Sequence, residues 1–204
     1  PAWNRTPAAS RAAILEHAAD QLEARIAEFM ALCVKEAGKS LPDSVAEVRE
    51  AVDFLRYYAG QARAQFGAPE RLPGPTGESN ELQLHGRGVF VCISPWNFPL
   101  AIFLGQVSAA LAAGNSVVLK PAEDTSLSAL LLGRLFLEAG GPDGVFNVVP
   151  GRGAVAGQAL ARSMHVEKIA FTGSTGAGRS IAVQNFNEQA CILGLGAFYT
   201  MLTR

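Results

Sequence analysis

Apolar residues fall along the chain in two different rhythms. Leu15, Ala18, Leu22, Ile26, Phe29 and Cys33 recur every three or four positions, the spacing of one buried helical face. Thr6 followed by Pro7 supplies an N-cap and first-turn pair, and Gly38 a left-handed stop. Val48, Val52, Leu55, Tyr58 and Ala62 repeat the rhythm in a second helix, expected to follow Pro42-Asp43-Ser44 and to fray near Gly67. From Pro69 to Asn80, three prolines and two glycines break any period and mark an exposed connection.

Past residue 88 the texture becomes strand, glycine or proline turn, helix, repeated. Strands are expected at Gly88–Ile93, Ser116–Leu119, Val145–Val149 and Lys168–Phe171. Helices are expected at Leu100–Ala113, Ser126–Ala139, Ala154–Arg162 and from near Ala177, the first two stopped by Gly114-Asn115 and Gly140-Gly141. Short apolar strands separated by helices make a parallel sheet with right-handed crossovers. The fold class is therefore α/β, a Rossmann-like sheet with flanking helices, preceded by two helices. Residues 1–87 form the helical and connecting segment, 88–182 the sheet domain, and 183–204 a divergent tail.

Charge excludes more than it selects. Lys and Arg number 17 against 18 Asp and Glu with no basic run, which argues against nucleic acid or an anionic membrane as partner. The apolar stretch from Phe98 to Ala113 is shorter than a bilayer span and contains Gln106 and Ser108, so it reads as a buried helix. Cys33, Cys92 and Cys191 are too few and scattered for a disulfide framework or a zinc site, and no metal is expected. The chain opens at Pro1 with a polar segment and no signal peptide. A reducing, cytoplasmic setting fits, with upstream sequence missing.

In such sheets ligands gather beyond the carboxyl ends of the strands. Four loops stand there: Ser94-Pro-Trp-Asn-Phe-Pro99, Lys120-Pro-Ala-Glu-Asp-Thr125, Pro150-Gly-Arg-Gly153 and Thr172-Gly-Ser-Thr175. Each has a plain structural reading. Trp96 and Phe98 could fill core space, Lys120 and Glu123 could be a solvated pair, and Thr172-Gly-Ser could cap the next helix. Gly151, Gly153 and Gly157 are spaced one residue longer than the dinucleotide fingerprint, a weak signal alone.

Their order at successive strand ends is specific. Pro95-Trp-Asn-Phe-Pro99, Lys120-Pro-Ala-Glu123 and Phe171-Thr-Gly-Ser-Thr175 resemble consecutive signatures of the aldehyde dehydrogenase superfamily, over roughly residues 1–182. Glu47 to Ala59 and Cys92 to Gln106 further resemble the glutamate-semialdehyde (pyrroline-5-carboxylate) dehydrogenases, above all the dehydrogenase module of bifunctional proline-catabolic enzymes of the proline utilization A type.

The resemblance implies NAD-dependent oxidation of an aldehyde to a carboxylic acid, most specifically glutamate γ-semialdehyde to glutamate, with succinate semialdehyde as the alternative substrate. A cysteine thiolate attacks the carbonyl, hydride leaves for the nicotinamide, and a glutamate activates the water that releases the acid. Asn97 matches the oxyanion donor, a role worth about 3 kcal/mol of barrier when one such donor is removed. Lys120 and Glu123 match residues that bind the adenosine ribose, where a carboxylate suits a free diol and repels a 2′-phosphate. Ser174 opens a helix that would receive the pyrophosphate. Phe171, Thr172 and Gly173 shape the same pocket, Gly153 and Gly157 lie toward the adenine, and Ile93, Ser94, Pro95 and Trp96 border the nicotinamide. Glu50 and Phe98 match substrate-tunnel positions, Glu50 being otherwise an exposed acid paired with a neighbouring Arg. Glu81 to His85, apolar at Leu82 and Leu84, is expected either as one strand of the family's dimerising hairpin or as an ordinary edge strand, and the parent enzyme as a homo-oligomer.

The resemblance also implies what is missing. The family nucleophile lies well downstream of Ser174, and neither Cys33 on an apolar helix face nor Cys92 in a strand suits the role. Cys191 lies too early in the sequence, and Gly194 stands where the general-base glutamate belongs. The expectation is a fragment truncated at both ends, or else a short cofactor-binding module without turnover.

Overall fold

The computed structural model describes residues 2–184 and the backbone of residues 192–194. A single turn of helix, α1 (Ala2–Arg5), precedes α2 (Ala8–Ala24). Pro7, not Thr6, stands at the start of α2, and no side chain caps it. The chain turns there, with the Thr6 N–H donating to the Trp3 carbonyl at 3.0 Å, and the Thr6 carbonyl is taken by the Arg11 guanidinium.

The apolar stripe from Leu15 to Cys33 belongs to two helices. Arg25 (φ −108°, ψ 23°) separates α2 from α3 (Ile26–Ala37). Leu22 and Phe29 on either side of the break are both fully buried, so the periodicity runs through the bend without showing it. Gly38 ends α3 in the left-handed conformation (φ 63°). Its N–H donates to the Val34 carbonyl at 3.1 Å, the bond of an αL closure, and that of Lys39 reaches back to the Cys33 carbonyl at 3.3 Å.

The next helix, α4 (Leu41–Phe66), starts earlier than the sequence suggests. Ser40 is its N-cap, accepting the Asp43 N–H at 3.3 Å, and Pro42 lies in the first turn, where no backbone donor is needed. Within the exposed connection, β1 (Glu70–Leu72) pairs antiparallel with β2 (Asn80–Leu82). This strand is shorter and earlier than the expected Glu81–His85, and Leu84 lies outside it.

Five parallel strands form the main sheet: β3 (Val89–Ile93), β4 (Ser116–Lys120), β5 (Phe146–Val148), β6 (Lys168–Phe171) and β7 (Ile192–Gly194). Their order is β5-β4-β3-β6-β7. The chain moves outward from β3 to β5, then crosses back to β6, so the order reverses between β3 and β6. The sequence predicts no strand at β7, which pairs with β6 with Phe171 opposite Gly194. The connecting helices are α5 (Ala101–Ala112), α6 (Ser126–Glu138), α7 (Gln158–Ala161) and α8 (Thr175–Gln184). Where one helix from Ala154 was expected, a π-helical turn over Gly153–Gly157 leads into α7. Such turns concentrate at functional sites.

Alternation along the strands divides the core into two layers. Cys92, Val117 and Leu119 face the large cluster built with α2, α4, α5 and α6. Val91, Ile93 and Ile169 face a smaller one with Ala161 and Val166, against which Ile181 of α8 packs. Helix α5, apolar nearly all round, is buried between α4 and the sheet. Its last carbonyls are met from the N-terminal segment: Trp3 Nε1–H donates to Leu111 at 3.0 Å and Arg11 Nε–H to Ala112 at 3.1 Å. Arg11 is buried, and burial lowers its pKa, while the helix C-terminus favours its charge.

Candidate cofactor cleft and the loop after β3

Register brings three strand ends side by side: Ile93 lies opposite both Lys120 and Phe171. Beyond them opens a cleft of about 330 Å³ whose walls include Gly153, Gly157 and Ser180. It sits at the point where the strand order reverses, the place where open α/β sheets bind ligands. Its size falls at the lower end of small-molecule sites.

Lys120 is only 4% exposed although it lines the cleft. Its ammonium donates to the Pro121 carbonyl at 2.7 Å. Burial lowers its pKa, and the negative charge of Glu123 opposes that shift. Glu123 follows in a 3-10 turn, exposed, and its Oε1 accepts the Gly153 N–H at 2.8 Å. Its carboxylate therefore ties the loop after β4 to the loop after β5.

On the β6 side, the Thr172 N–H donates to the Ile93 carbonyl at 3.0 Å. The Phe171 ring folds back over two glycines. A Cβ at Gly173 would stand 2.8 Å from its Cζ, and one at Gly178 would stand 3.1 Å from its Cε1. Ser174 accepts the Ala177 N–H at 3.3 Å, so it caps α8, which begins at Thr175 and not Ala177. The capping reading of Ser174 thus holds, and α8 lines the cleft along its flank, through Ala177, Ser180 and Ile181.

The segment after β3 carries the remaining expected residues. Ser94 is buried, whereas Trp96 is 56% exposed, Asn97 exposed and Phe98 37% exposed, so these aromatics do not fill the core. Ile93 places this segment beside the cleft. Glu50 is exposed on α4. The acid of α4 that reaches the loop is Glu47, one turn earlier and 2% exposed. Its Oε1 accepts the Leu100 and Ala101 N–H groups at 3.0 and 2.9 Å, and its Oε2 pairs with Lys39 Nζ at 2.8 Å. Lys39 Nζ in turn lies 4.2 Å from the Phe98 ring centroid.

Sequence reasoning assigned no role to Glu47, Lys39 or Gln106. Glu47 was detectable as a charge set within the buried stripe of Ser44, Val48 and Ala51. Gln106, buried on α5, donates from Nε2 to Thr172 Oγ1 at 3.0 Å and so links α5 to the exit of β6. Its polarity inside an apolar helix was the available signal.

Neither described cysteine can serve as a nucleophile. Both Cys33 and Cys92 are buried, and desolvation pushes their thiols up to about 12. Cys191 lies outside the described residues. Among the described residues, no helix is long and apolar enough to cross a membrane.

Comparison with known proteins agrees with the sheet and its loops: the aldehyde dehydrogenase family matches residues 1–198. The chain belongs to that family. The match takes in β7. Over 175 residues the chain is 51% identical to the bifunctional protein PutA of Klebsiella aerogenes, covering 86% of this chain and 12% of that protein. It is 44% identical over 178 residues to a 1-pyrroline-5-carboxylate dehydrogenase of a Geobacillus species, covering 86% of this chain and 34% of that one. A solved structure of proline utilization A with proline bound in remote sites is 54% identical, with a TM-score of 0.89 over 95% of this chain and 20% of that one. The chain thus spans about an eighth of the length of its PutA relative.

Proposed function

We propose that this chain is the cofactor-binding part of a longer NAD-dependent dehydrogenase that oxidises glutamate γ-semialdehyde to glutamate in proline breakdown, and that by itself it binds NAD without turnover. The observation that carries the reading is the cleft at the β3/β6 reversal, lined by buried Lys120, by Gly153 and Gly157 and by the flank of α8, with exposed Glu123 tied to Gly153 in its wall. The residues fit the adenosine half of a dinucleotide: a cation and a carboxylate for hydroxyls, glycines at Gly153 and Gly157 for close approach, and a helix start for phosphate. When bound, NAD supplies the hydride acceptor. The chain's own residues hold it, keep the Ile93–Trp96 backbone against the nicotinamide end, and present the Asn97 amide to the developing oxyanion.

The preference for glutamate γ-semialdehyde over succinate semialdehyde rests on likeness to PutA and to a 1-pyrroline-5-carboxylate dehydrogenase. The absence of turnover rests on the two buried thiols and on glycine at position 194. Two buried free thiols also suit the cytoplasm. In this division residues 88–182 hold the cofactor, residues 1–87 support them, and residues 183–204 do not complete the chemistry. The β1–β2 hairpin, with exposed Leu72 and Leu82, serves homo-oligomerisation in the longer enzyme.

Calorimetric titration of the chain with NAD, ADP-ribose and NADP tests the binding half. Saturable binding of NAD and ADP-ribose, tighter than NADP, is expected, with no aldehyde oxidation in the same preparation. Failure of both NAD and ADP-ribose to bind overturns the reading of the cleft, and oxidation of either semialdehyde by this chain overturns the absence of turnover.

A further inference from the structure

The residues from Ser94 to Phe98 form no regular secondary structure, yet they carry Trp96, Asn97 and Phe98 between a strand and a buried helix. Their pose has to be fixed from outside. At the exit, Leu100 occupies the N-cap of α5 and has no side-chain oxygen to offer the free N–H groups of the first turn. The acceptor comes instead from Glu47, more than fifty residues away in sequence, which takes both the Leu100 and Ala101 N–H groups on one oxygen.

A buried carboxylate needs a countercharge, and the one it has is Lys39. That lysine is 12% exposed at its side chain, and the left-handed closure at Gly38 turns the backbone that carries it toward α4. Its ammonium has a second neighbour, the face of Phe98, at cation–π distance. One cation thus touches both the group that anchors the loop's exit and the aromatic ring in its middle. With Pro95 and Pro99 restricting the backbone on either side, a fixed Phe98 leaves Asn97 little freedom.

We propose that Lys39 and Glu47 form a brace that sets the pose of the Trp96–Asn97–Phe98 segment, with Lys39 as the positioning residue for Phe98 and, through it, for Asn97. The functional weight of this brace rests on the reading of Asn97 and Phe98 as aldehyde-facing. A cap made only for stability would not need the ring contact, and a ring held only by packing would not need the charge.

Time-resolved fluorescence anisotropy of the whole chain tests it. Trp3 and Trp96 are the only tryptophans, and Trp3 is 2% exposed and hydrogen-bonded, so fast depolarisation reports Trp96. Lys39→Met keeps length and removes charge, and is expected to raise the fast amplitude at least twofold. Lys39→Arg keeps the ion pair and the ring contact and is expected to match the unaltered chain. The double variant Lys39→Met/Glu47→Gln removes the stranded carboxylate, so it should regain urea resistance while the fast amplitude stays high. If Lys39→Met does not fold, the double variant decides alone. An unchanged amplitude in Lys39→Met, or an amplitude that returns to normal with stability in the double variant, overturns the brace. The readout needs neither cofactor nor turnover, so loss of NAD binding and loss of the brace are separate outcomes.

Discussion

Replacing Glu123 by glutamine separates two jobs that one carboxylate can hold. In the folded chain Oε1 already accepts the Gly153 N–H at 2.8 Å, which joins the loops after β4 and β5. A glutamine keeps a carbonyl oxygen for that bond, so the loops stay together. It loses the charge that would accept ribose hydroxyls from the other oxygen. A hydrogen bond to a charged group contributes about 1.5–3 kcal/mol and a neutral one about 0.5–1.5, a difference near 1 kcal/mol. Glu123 is exposed, so the low end applies, and NAD affinity should fall by about fivefold. NADP should fall less or gain, because a negative charge near the 2′-phosphate has gone while Lys120 remains at the strand end. Glu123→Ala loses the Gly153 tether as well and should weaken both cofactors. Titration calorimetry with NAD and NADP on the two variants reads this directly. Equal losses for NAD and NADP in Glu123→Gln would refute the ribose role and leave Glu123 as a loop tie. No loss for either would return it to the solvated surface.

Three further outcomes are expected. Gly173→Ala places a Cβ 2.8 Å from the Phe171 ring and should displace it into the cleft, weakening ADP-ribose binding severalfold with little change in urea midpoint; unchanged binding would mean the ring is free to move. In a Cys191→Ser background, Cys33 and Cys92 should stay unreactive toward an alkylating agent up to pH 9 until the chain unfolds. Their folded pKa of about 12 lies above the ordinary 9.0, so the protonated thiols stabilise the fold below pH 9, and that contribution is lost between 9 and 12 at up to about 1.4 kcal/mol per pH unit per thiol, measurable by urea titration. Arg11→Met removes a buried guanidinium from the Thr6 and Ala112 carbonyls and should lower stability by about 1.5–3 kcal/mol; a change below 0.5 kcal/mol would show those carbonyls to be satisfied otherwise.

The parallel strands β3 to β6 were legible because each is a short apolar run closed by glycine or proline, a signal that depends on few neighbours. The chemistry-bearing loops were legible through their order at the strand ends. The bend at Arg25 was not, since Leu22 and Phe29 keep helical phase across it. Nor was the start of α4, where Pro42 looked like a boundary but sits inside the first turn. The part Glu47 plays was not legible either, because it depends on two backbone N–H groups over fifty residues downstream, a partnership no local pattern reveals. The strand β7 draws its hydrogen bonds from β6, and its three residues carry little signal without that neighbour.

Helix α5 is a rod gripped at both ends by earlier chain: Glu47 holds its amino end, and Trp3 with Arg11 holds its carboxyl end. A ribosome therefore makes both jaws of this clamp before the rod. Strands β4 to β6 come later still, after every group that holds α5 has been made. Cutting the first fifty residues away would remove none of the residues that line the cleft, yet the sheet would be left to assemble around an unclamped helix with bare polar ends.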